Sequence, residues 1–228
     1  MAATEFLPDP LPAEPLELVK QWLEEAFAAR RQPNPNAMVL ATASPDGRPA
    51  ARVVLAKDVV PRPGFVVFYT NYQSAKGMQL RANPRAAGVI HWDALHRQVR
   101  LEGPVSLAPE ADSNRYFASR AWPKRIAAWA SAQSQPLASR EALLRSVAEV
   151  AQRFGTPVPG TPGADESRDH PVPRPPHWGG NRLWVERIEL WTEGANRVHD
   201  RAVWTRPLQP AGEHAFTAGP WRSTRLNP

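Results

Sequence analysis

The spacing of apolar residues changes near residue 33, and this change limits the chain to a mixed fold. From Pro15 to Phe27 apolar residues recur every three or four positions, which predicts an amphipathic helix with proline in its first turn. Beyond Pro33 the apolar segments are short, and turn residues such as Ser44-Pro45-Asp46-Gly47 separate them. Proline presets φ and glycine supplies a positive φ, so these segments favour strands joined by tight turns.

The rest of the chain predicts short strands with helices placed between them. Strands are expected at 38–43, 51–56, 65–70, 86–92, 98–107, 183–191, 202–206 and just before Trp221, and helices at 74–82, 110–118, 124–132 and 139–154. Trp178-Gly179-Gly180 is interpreted as a tight bend. Long helices do not alternate with buried parallel strands, so the pattern indicates an α+β fold built on a small antiparallel barrel.

Composition excludes several kinds of site. The 228 residues contain no cysteine, which excludes disulfides, a thiolate metal site and a cysteine nucleophile. Gly-rich phosphate loops, Gly-x-Ser-x-Gly and metal-ligand spacings are absent from the sequence, so we expect no metal. The net charge of +6 comes from scattered arginines, most of which an ordinary solvated surface explains. A phosphate-binding pocket needs only a few of them, and we expect no nucleic-acid partner.

Length and local composition predict the domain organisation. We expect a flexible N-terminal segment (1–13) and a single domain (14–228) with a loop insertion at about 155–177, which is rich in proline, glycine and charge. The first 15 residues do not resemble a signal peptide, and no stretch approaches the roughly 20 apolar residues of a membrane span. We therefore expect a cytoplasmic location and no membrane partner.

Three segments place cationic side chains where they could bind a buried anion. Arg52 and Lys57 flank the apolar residues 53–56, while Ser74 and Lys76 lie at a predicted helix N-terminus that suits a phosphate. If residues 197–201 form a strand, Arg197, His199 and Arg201 share one face. The alternatives are a strand with solvated ends, an ordinary serine cap and a solvated edge strand, and the residues alone leave them open.

The order of several short motifs resembles one known family. The motifs, which run from about Pro15 to Arg225-Leu226, are Arg52–Lys57, Phe68-Tyr69-Thr70-Asn71 with Ser74 and Lys76, Arg97-Gln98-Val99, Tyr116-Phe117 with Ser119-Arg120, Ala128-Trp129-Ala130-Ser131 with Gln133-Ser134, Trp178-Gly179-Gly180, Ile188-Glu189 with Trp191, and Arg197-Val198-His199-Asp200-Arg201. Each motif is short, but their order is specific. The chain thus resembles the pyridoxamine 5′-phosphate oxidase family.

This resemblance implies an FMN-binding split β-barrel, antiparallel and Greek-key-like with peripheral helices, and a homodimer. It implies FMN as cofactor, pyridoxamine or pyridoxine 5′-phosphate as substrate, oxygen as acceptor, and pyridoxal 5′-phosphate and hydrogen peroxide as products. The implied cofactor-binding residues are Arg52, Val53, Val54, Leu55, Lys57, Tyr69, Thr70, Lys76, Gln98, Gln133, Ser134, Trp191 and Arg201. The implied substrate-binding residues are Lys57, Tyr116, Arg120, Arg197 and His199, and Arg197 and His199 are also the implied catalytic pair.

Some positions depart from the family pattern. Ala75 stands where many members have arginine, and Lys124 stands where a serine that binds the substrate phosphate is usual. Two other functions remain open: a related flavin oxidase of the phenazine-biosynthesis type, and a protein that binds FMN or pyridoxal phosphate without turnover.

Overall fold

The computed structural model describes residues 6–162 and 164–228, and the chain divides into two compact units. The first unit comprises residues up to 68, 79–107 and 181–228, and the second comprises residues 69–78 and 108–180. Residues 1–5 of the predicted flexible segment and Gly163 of the predicted loop lie outside the described residues. The single domain expected for 14–228 stays a prediction.

The helices and strands alternate irregularly along the chain, as expected for an α+β fold. The helices are α1 (Pro15–Ala29), α2 (Ala75–Ala82), α3 (Glu110–Ala118), α4 (Trp122–Ala130) and α5 (Arg140–Arg153). The strands are β1 (Ala37–Ala43), β2 (Pro49–Leu55), β3 (Asp58–Val60), β4 (Phe65–Asn71), β5 (Arg85–Trp92), β6 (Arg97–Leu107), β7 (Trp178–Trp184), β8 (Arg187–Thr192), β9 (Asp200–Thr205), β10 (Leu208–Pro210), β11 (Phe216–Ala218) and β12 (Arg222–Leu226).

An antiparallel sheet organises the first unit. Its strand order is β12-β9-β8-β6-β5-β1-β2, and β7 pairs with the last residues of β6. In the long strand β6, Arg97 lies opposite Trp92 of β5 on one side and opposite Thr192 of β8 on the other. Residues of the three strands are therefore in direct register. Strand β9 then pairs with β8 and β12. Directly opposed residues share one face of the sheet, which places predicted site residues side by side.

Helix α1 covers part of the first unit's core. Pro15 occupies the first turn, where its missing N–H costs no hydrogen bond. Leu16, Val19 and Trp22 are at most 4% exposed, as the helical period predicted. The helix ends at Arg30, which adopts a left-handed conformation with φ 51°.

The described part of the N-terminal segment contacts the sheet. Leu7 is 4% exposed, and its N–H donates to Oδ2 of Asp200 at 2.9 Å. The indole Nε1 of Trp204 donates to the carbonyl oxygen of Pro12 at 2.8 Å. These contacts join the beginning of the chain to β9, and the flexibility of residues 1–13 stays a prediction.

The second unit contains α3, α4 and α5 and a small apolar core of its own. Trp122 and Ile126 of α4 pack with Val172, and Trp129 Nε1 donates to the carbonyl oxygen of Pro173 at 2.7 Å. The described residues between 155 and 177 contain no helix or strand, as expected. Val172 and Pro173 therefore fasten the predicted loop to α4.

Two strand predictions and one bend prediction were wrong. Residues 183–191 form two strands, because the backbone of Val185 and Glu186 bonds to Gly64, Glu102 and Arg206 instead of continuing one ladder. Trp178-Gly179-Gly180 begins β7 and is not a bend. Residues 197–199 lie outside β9, because Asn196 and Arg197 have φ values of 54° and 65°. Extended strands require a negative φ.

Among the described residues, no helix has the length and apolar character needed to cross a membrane.

Arg206 joins separate segments of the first unit. It is 9% exposed, its Nε donates to the Val185 carbonyl at 2.8 Å, and its Nη2 donates to the Gly64 carbonyl at 2.9 Å. Its guanidinium also lies 4.1 Å from the ring centre of Trp221. Gly64 has φ 105°, and a Cβ there would lie 2.1 Å from Nη2 of Arg206. Burial lowers the pKa of Arg206 to about 10, so the group remains a cation at neutral pH.

We predict that Arg206→Ala lowers the free energy of unfolding by about 2–3 kcal/mol, because two charge-assisted hydrogen bonds to buried carbonyls are lost. Urea unfolding at a fixed protein concentration measures the change. The matched control is Arg222→Ala, which removes an exposed arginine of β12 and should change stability by less than about 0.5 kcal/mol. Equal small effects of the two variants would contradict the role assigned to Arg206.

Candidate functional site

In the first unit, Arg52 is surrounded by neutral oxygen atoms. Its Nη1 donates to Oγ1 of Thr42 at 2.6 Å and to the Leu40 carbonyl at 3.2 Å, and its Nη2 donates to Oε1 of Gln79 at 3.1 Å. Within the described part of the chain no carboxylate forms an ion pair with it. Burial lowers the pKa of Arg52, which shows the cost of holding this charge away from water. Its positive charge is therefore available to an anion.

The residues that follow Arg52 differ in exposure along β2. Val53 is 64% exposed, whereas Val54 and Leu55 are half-buried. Lys57 is exposed beyond the end of β2, where its N–H donates to the Val67 carbonyl at 2.7 Å. The predicted strand is confirmed, but Arg52 lies in its middle and not at its end.

Three predicted cofactor residues form one row across neighbouring strands. Gln98 of β6 is opposite Trp191 of β8, and Trp191 is opposite Arg201 of β9. Opposed residues of antiparallel strands have Cβ atoms about 5 Å apart, so the three side chains share one face. The sheet thus brings together an amide, an indole and a guanidinium that are far apart in sequence.

A buried carboxylate holds Arg201 in this row. Glu189 is 4% exposed, and its Oε1 accepts from Nη2 and Nε of Arg201 at 2.8 and 3.2 Å. Its other oxygen accepts from Nη1 of Arg100 at 3.1 Å. Arg100 also donates to Glu102, so two guanidinium groups and two carboxylates form one connected network. The sequence reasoning named Glu189 within a motif but assigned it no role.

His199 and Arg197 have different surroundings from those expected. The His199 ring lies 4.8 Å from the Trp191 ring, and its Nδ1 accepts from the Gly194 N–H at 3.2 Å. A neutral His199 must then carry its proton on Nε2. Arg197 is exposed and left-handed, so the strand face predicted for residues 197, 199 and 201 does not exist.

In the second unit, the ammonium of Lys76 meets three oxygen atoms. Its Nζ donates to Oγ1 of Thr70 at 3.0 Å, to Oγ of Ser74 at 3.1 Å and to Oε1 of Gln133 at 2.9 Å. Ser134 follows with φ 71°. The structure therefore brings three of the predicted cofactor residues into one cluster, although Gln133 is 57 positions from Lys76.

Three aromatic rings of the second unit stack in parallel. The Tyr69 and Tyr116 ring centres are 3.9 Å apart, and the Trp178 ring lies 5.4 Å from Tyr69 and 6.1 Å from Tyr116. Arg120 lies over this stack with its Cζ atom 4.7 Å from the Trp178 ring centre. Offset stacking and a cation over an indole both favour such geometry.

Arg120 has an unused donor. Its Nη1 is buried and has no hydrogen-bond partner among the described residues. Burial is the largest cause that lowers the pKa of Arg120, and the charge of Arg125 lowers it further, whereas Tyr116 raises it. A buried guanidinium N–H without an acceptor is costly, so this atom suits an anionic ligand.

Lys124 is exposed in the first turn of α4.

The sequence reasoning missed the role of residues 178–180 in this stack. Trp178 supplies a ring, and Gly180 lets β7 pass close to it, because a Cβ on Gly180 would lie 2.9 Å from the Tyr69 ring and 2.8 Å from the Ala108 side chain. The adjacent glycines after a tryptophan were the available signal. They indicate a close approach of the backbone.

Two family models match this chain. Residues 23–154 match the family model described as pyridoxamine 5′-phosphate oxidase. Residues 178–228 match the model described as the pyridoxine 5′-phosphate oxidase C-terminal dimerisation region. The chain belongs to the pyridoxine/pyridoxamine 5′-phosphate oxidase family. This is a family of FMN-dependent oxidoreductases, and the chain is an enzyme of that class.

Curated relatives of this oxidase family are similar over nearly the whole chain. A pyridoxine/pyridoxamine 5′-phosphate oxidase of Rubrobacter xylanophilus is 46% identical over 216 residues, which cover 94% of this chain and 87% of the relative. One of Caulobacter vibrioides is 45% identical over 227 residues, covering 98% and 90%.

Solved structures confirm the predicted fold class. PhzG from Burkholderia lata 383, in complex with tetrahydrophenazine-1-carboxylic acid, has a TM-score of 0.77 and 30% identity, covering 96% of this chain and 95% of that one. A pyridoxamine 5′-phosphate oxidase-related, FMN-binding protein from Nostoc punctiforme has a TM-score of 0.55 and 21% identity, covering 94% and 97%. The oxidase has the α+β, antiparallel split-barrel fold.

The residues present fit a phosphate-bearing flavin. Arg52 and Lys76 each keep a positive charge among neutral oxygen atoms within their own units. Arg52, which forms no ion pair with a carboxylate in the described part of the chain, can bind a phosphate dianion without first giving one up. No group of three or more His, Asp or Glu side chains in the described residues is arranged to hold a metal ion.

Proposed function

We propose that this protein oxidises pyridoxamine 5′-phosphate or pyridoxine 5′-phosphate to pyridoxal 5′-phosphate, with oxygen as acceptor and hydrogen peroxide as product. The observation that carries the proposal is the buried, unpaired Nη1 of Arg120 beside the stacked rings of Tyr116 and Trp178. A guanidinium that still lacks an acceptor recognises a phosphate, and a flat aromatic surface next to it suits a compact aromatic substrate.

The proposed cofactor is FMN, which when bound supplies a two-electron acceptor for the hydride that leaves the substrate C4′ carbon. We propose that Arg52 and Lys76 bind its phosphate together with Tyr69 and Thr70. The remaining proposed contacts to the ring and ribityl chain come from Val53, Val54, Leu55, Lys57, Gln98, Gln133, Ser134, Trp191 and Arg201. This assignment is supported by the family membership and by the hydrogen bonds of Arg52 and Lys76.

The proposed substrate-binding residues are Lys57, Tyr116, Arg120, Arg197 and His199. Arg120 and Tyr116 hold the phosphate through charge-assisted bonds, and Arg197 and His199 orient the ring. His199 can do this by donating from Nε2, since its Nδ1 already accepts from Gly194. For hydride transfer, these residues need only orient the substrate. The step does not require an obligatory base.

The proposed assembly is a homodimer. The match of residues 178–228 to a dimerisation region supports it. The exposed Val53 side chain, 64% accessible in the isolated chain, is the kind of apolar surface that a partner subunit or a flavin covers.

Two alternatives are separated from this proposal by substrate chemistry. PhzG of Burkholderia lata binds a tetrahydrophenazine carboxylic acid, which carries no phosphate. The third possibility is binding without turnover. The three are distinguished by oxygen consumption and peroxide formation with pyridoxamine 5′-phosphate, pyridoxine 5′-phosphate and their unphosphorylated forms. Turnover that requires the phosphate supports the proposal. No turnover, or turnover that does not depend on the phosphate, contradicts it.

Arg120→Ala should raise KM for pyridoxamine 5′-phosphate by about 100-fold, because a charge-assisted contact to the substrate phosphate is lost. Steady-state oxygen consumption gives KM and kcat. Arg153→Ala is the matched control, since Arg153 also lies over aromatic rings of the second unit, 4.8 Å from the Trp129 centre. Equal KM values for the parent and Arg120→Ala would argue against phosphate binding by Arg120.

Purified protein should contain one FMN per chain and no FAD, because the sequence lacks a dinucleotide-binding fingerprint. Lys76→Met should weaken FMN binding by about tenfold or more, since it removes one cation from the phosphate contacts. Mass analysis identifies the released cofactor, and flavin fluorescence titration gives Kd. Lys20→Met, at an exposed position of α1, is the control. Bound FAD, or unchanged FMN affinity in Lys76→Met, would contradict this assignment.

Arg197 and His199 should affect the substrate, whereas Arg201 should affect the cofactor. We expect Arg197→Ala and His199→Ala to lower kcat/KM by about 100-fold through loss of substrate orientation while FMN stays bound. Arg201→Ala should weaken FMN binding first. Paired measurements of kcat/KM and FMN Kd test this division. Flavin loss from the first two variants, or unaltered kcat/KM, would show that the division is wrong.

A further inference from the structure

We propose that Arg174 is a positioning residue that sets the preference for phosphorylated substrates by holding Trp178 against Tyr116 and Arg120. This inference rests on the proposed function, because it concerns how the phosphate-binding side chains are held. Arg174 lies in the segment that the sequence predicted only as a loop.

Arg174 forms a three-way connection inside the second unit. Its Nη1 donates to the Trp178 carbonyl at 2.6 Å, its Nε donates to Oδ1 of Asn114 at 2.6 Å, and its Nη2 donates to Oε1 of Glu110 at 2.9 Å. The side chain is only 11% exposed. A planar guanidinium fixes three acceptors in one plane, and an ammonium group cannot reproduce this fork.

The acceptors of Arg174 belong to the two segments that build the aromatic stack. Glu110 and Asn114 lie on α3, which also carries Tyr116, and the third acceptor is the backbone of Trp178. Arg174 therefore fixes the distance between α3 and the Trp178 backbone. Since the Tyr116 and Trp178 rings are parallel to within 7°, a shift of either segment disturbs their stacking.

Trp178 in turn determines where the charge of Arg120 lies. Arg120 is 4.7 Å from the Trp178 ring centre and 5.4 Å from the Phe117 ring centre, and Phe117 itself packs against Trp178 at 5.1 Å. Because the indole face attracts the guanidinium, a displaced ring changes the position in which Arg120 is most stable. Loss of Arg174 should thus displace Arg120 without removing any atom that touches the substrate.

The local sequence stiffens this connection. Arg174 lies between Pro173 and Pro175-Pro176, and proline fixes φ near −65°. A restricted backbone loses less entropy when Arg174 makes its three bonds. Residues 173–176 are accordingly a short rigid support, and this gives the end of the predicted loop a function.

The test measures discrimination between pyridoxal 5′-phosphate and pyridoxal, which differ only in the phosphate. Equilibrium titration of the FMN-loaded protein gives both Kd values. The readout is the Kd of pyridoxal divided by the Kd of pyridoxal 5′-phosphate. Arg174→Leu should lower this ratio by about tenfold, because a misplaced binding group loses much of its contact. The FMN Kd should change less than this ratio, since Arg174 and Trp178 are not themselves proposed FMN contacts, although Tyr69, which is one, stacks on Trp178 at 5.4 Å.

Two further variants complete the design. Arg174→Lys keeps a cation but loses the fork, so the ratio should fall by about threefold, and this variant decides the question if Arg174→Leu does not fold. Arg115→Leu is the control, because Arg115 is an exposed arginine of α3 that pairs with Asp112 and should leave the ratio unchanged. A drop in thermal stability with an unchanged ratio would mean that Arg174 is merely structural.

The proposed function and the inference fail in different ways. A parent protein that binds pyridoxal as tightly as pyridoxal 5′-phosphate would contradict the proposed function and this inference with it. A parent that discriminates, and loses discrimination in Arg120→Ala but keeps it in both Arg174 variants, would overturn the role of Arg174 alone.

Discussion

Taking a guanidinium or ammonium group out of water costs free energy unless oxygen acceptors or an opposite charge replace the water. In this chain the replacement is often incomplete. Arg52 and Lys76 find neutral oxygens, Arg201 shares the carboxylate of Glu189 with Arg100, and Arg120 keeps one buried N–H without an acceptor. These are the cations to which we assign the proposed phosphate and flavin contacts.

Neutral partners also orient these cations. An arginine bound by an amide or hydroxyl oxygen is held in place, yet it retains nearly its full charge for a ligand. A carboxylate partner such as Glu189 fixes Arg201 more firmly and neutralises part of its charge, which suits a residue that contacts a ring more than one that binds a phosphate. Under the proposed assignment, the two kinds of partner serve two kinds of contact.

The sequence predicted the α+β class and most helices, because turn residues and period identify local elements, whereas the site residues came from the family motifs and their roles stay predictions. It did not predict the division between β7 and β8, since apolar residues lie on both sides of Glu186-Arg187 and no turn residue separates them. It also placed residues 197–199 on a strand, because a left-handed arginine leaves no mark in a pattern of side-chain types. Glu189 and Trp178 acquire their roles from partners on other segments, which periodicity does not record.

The hydrogen bond from the Leu7 N–H to Asp200 closes a loop of 193 residues, and that of Trp204 to Pro12 closes one of 192. A ribosome adds roughly 5–20 residues each second, so the first segment waits about 10–40 s for its partner strand to be made. During that interval Leu7 lacks the strand that later accepts its N–H, whereas α1 already has β3 and Trp92 of β5 as partners. The contacts of Leu7 and Pro12 with β9 are therefore among the last that the growing chain can complete.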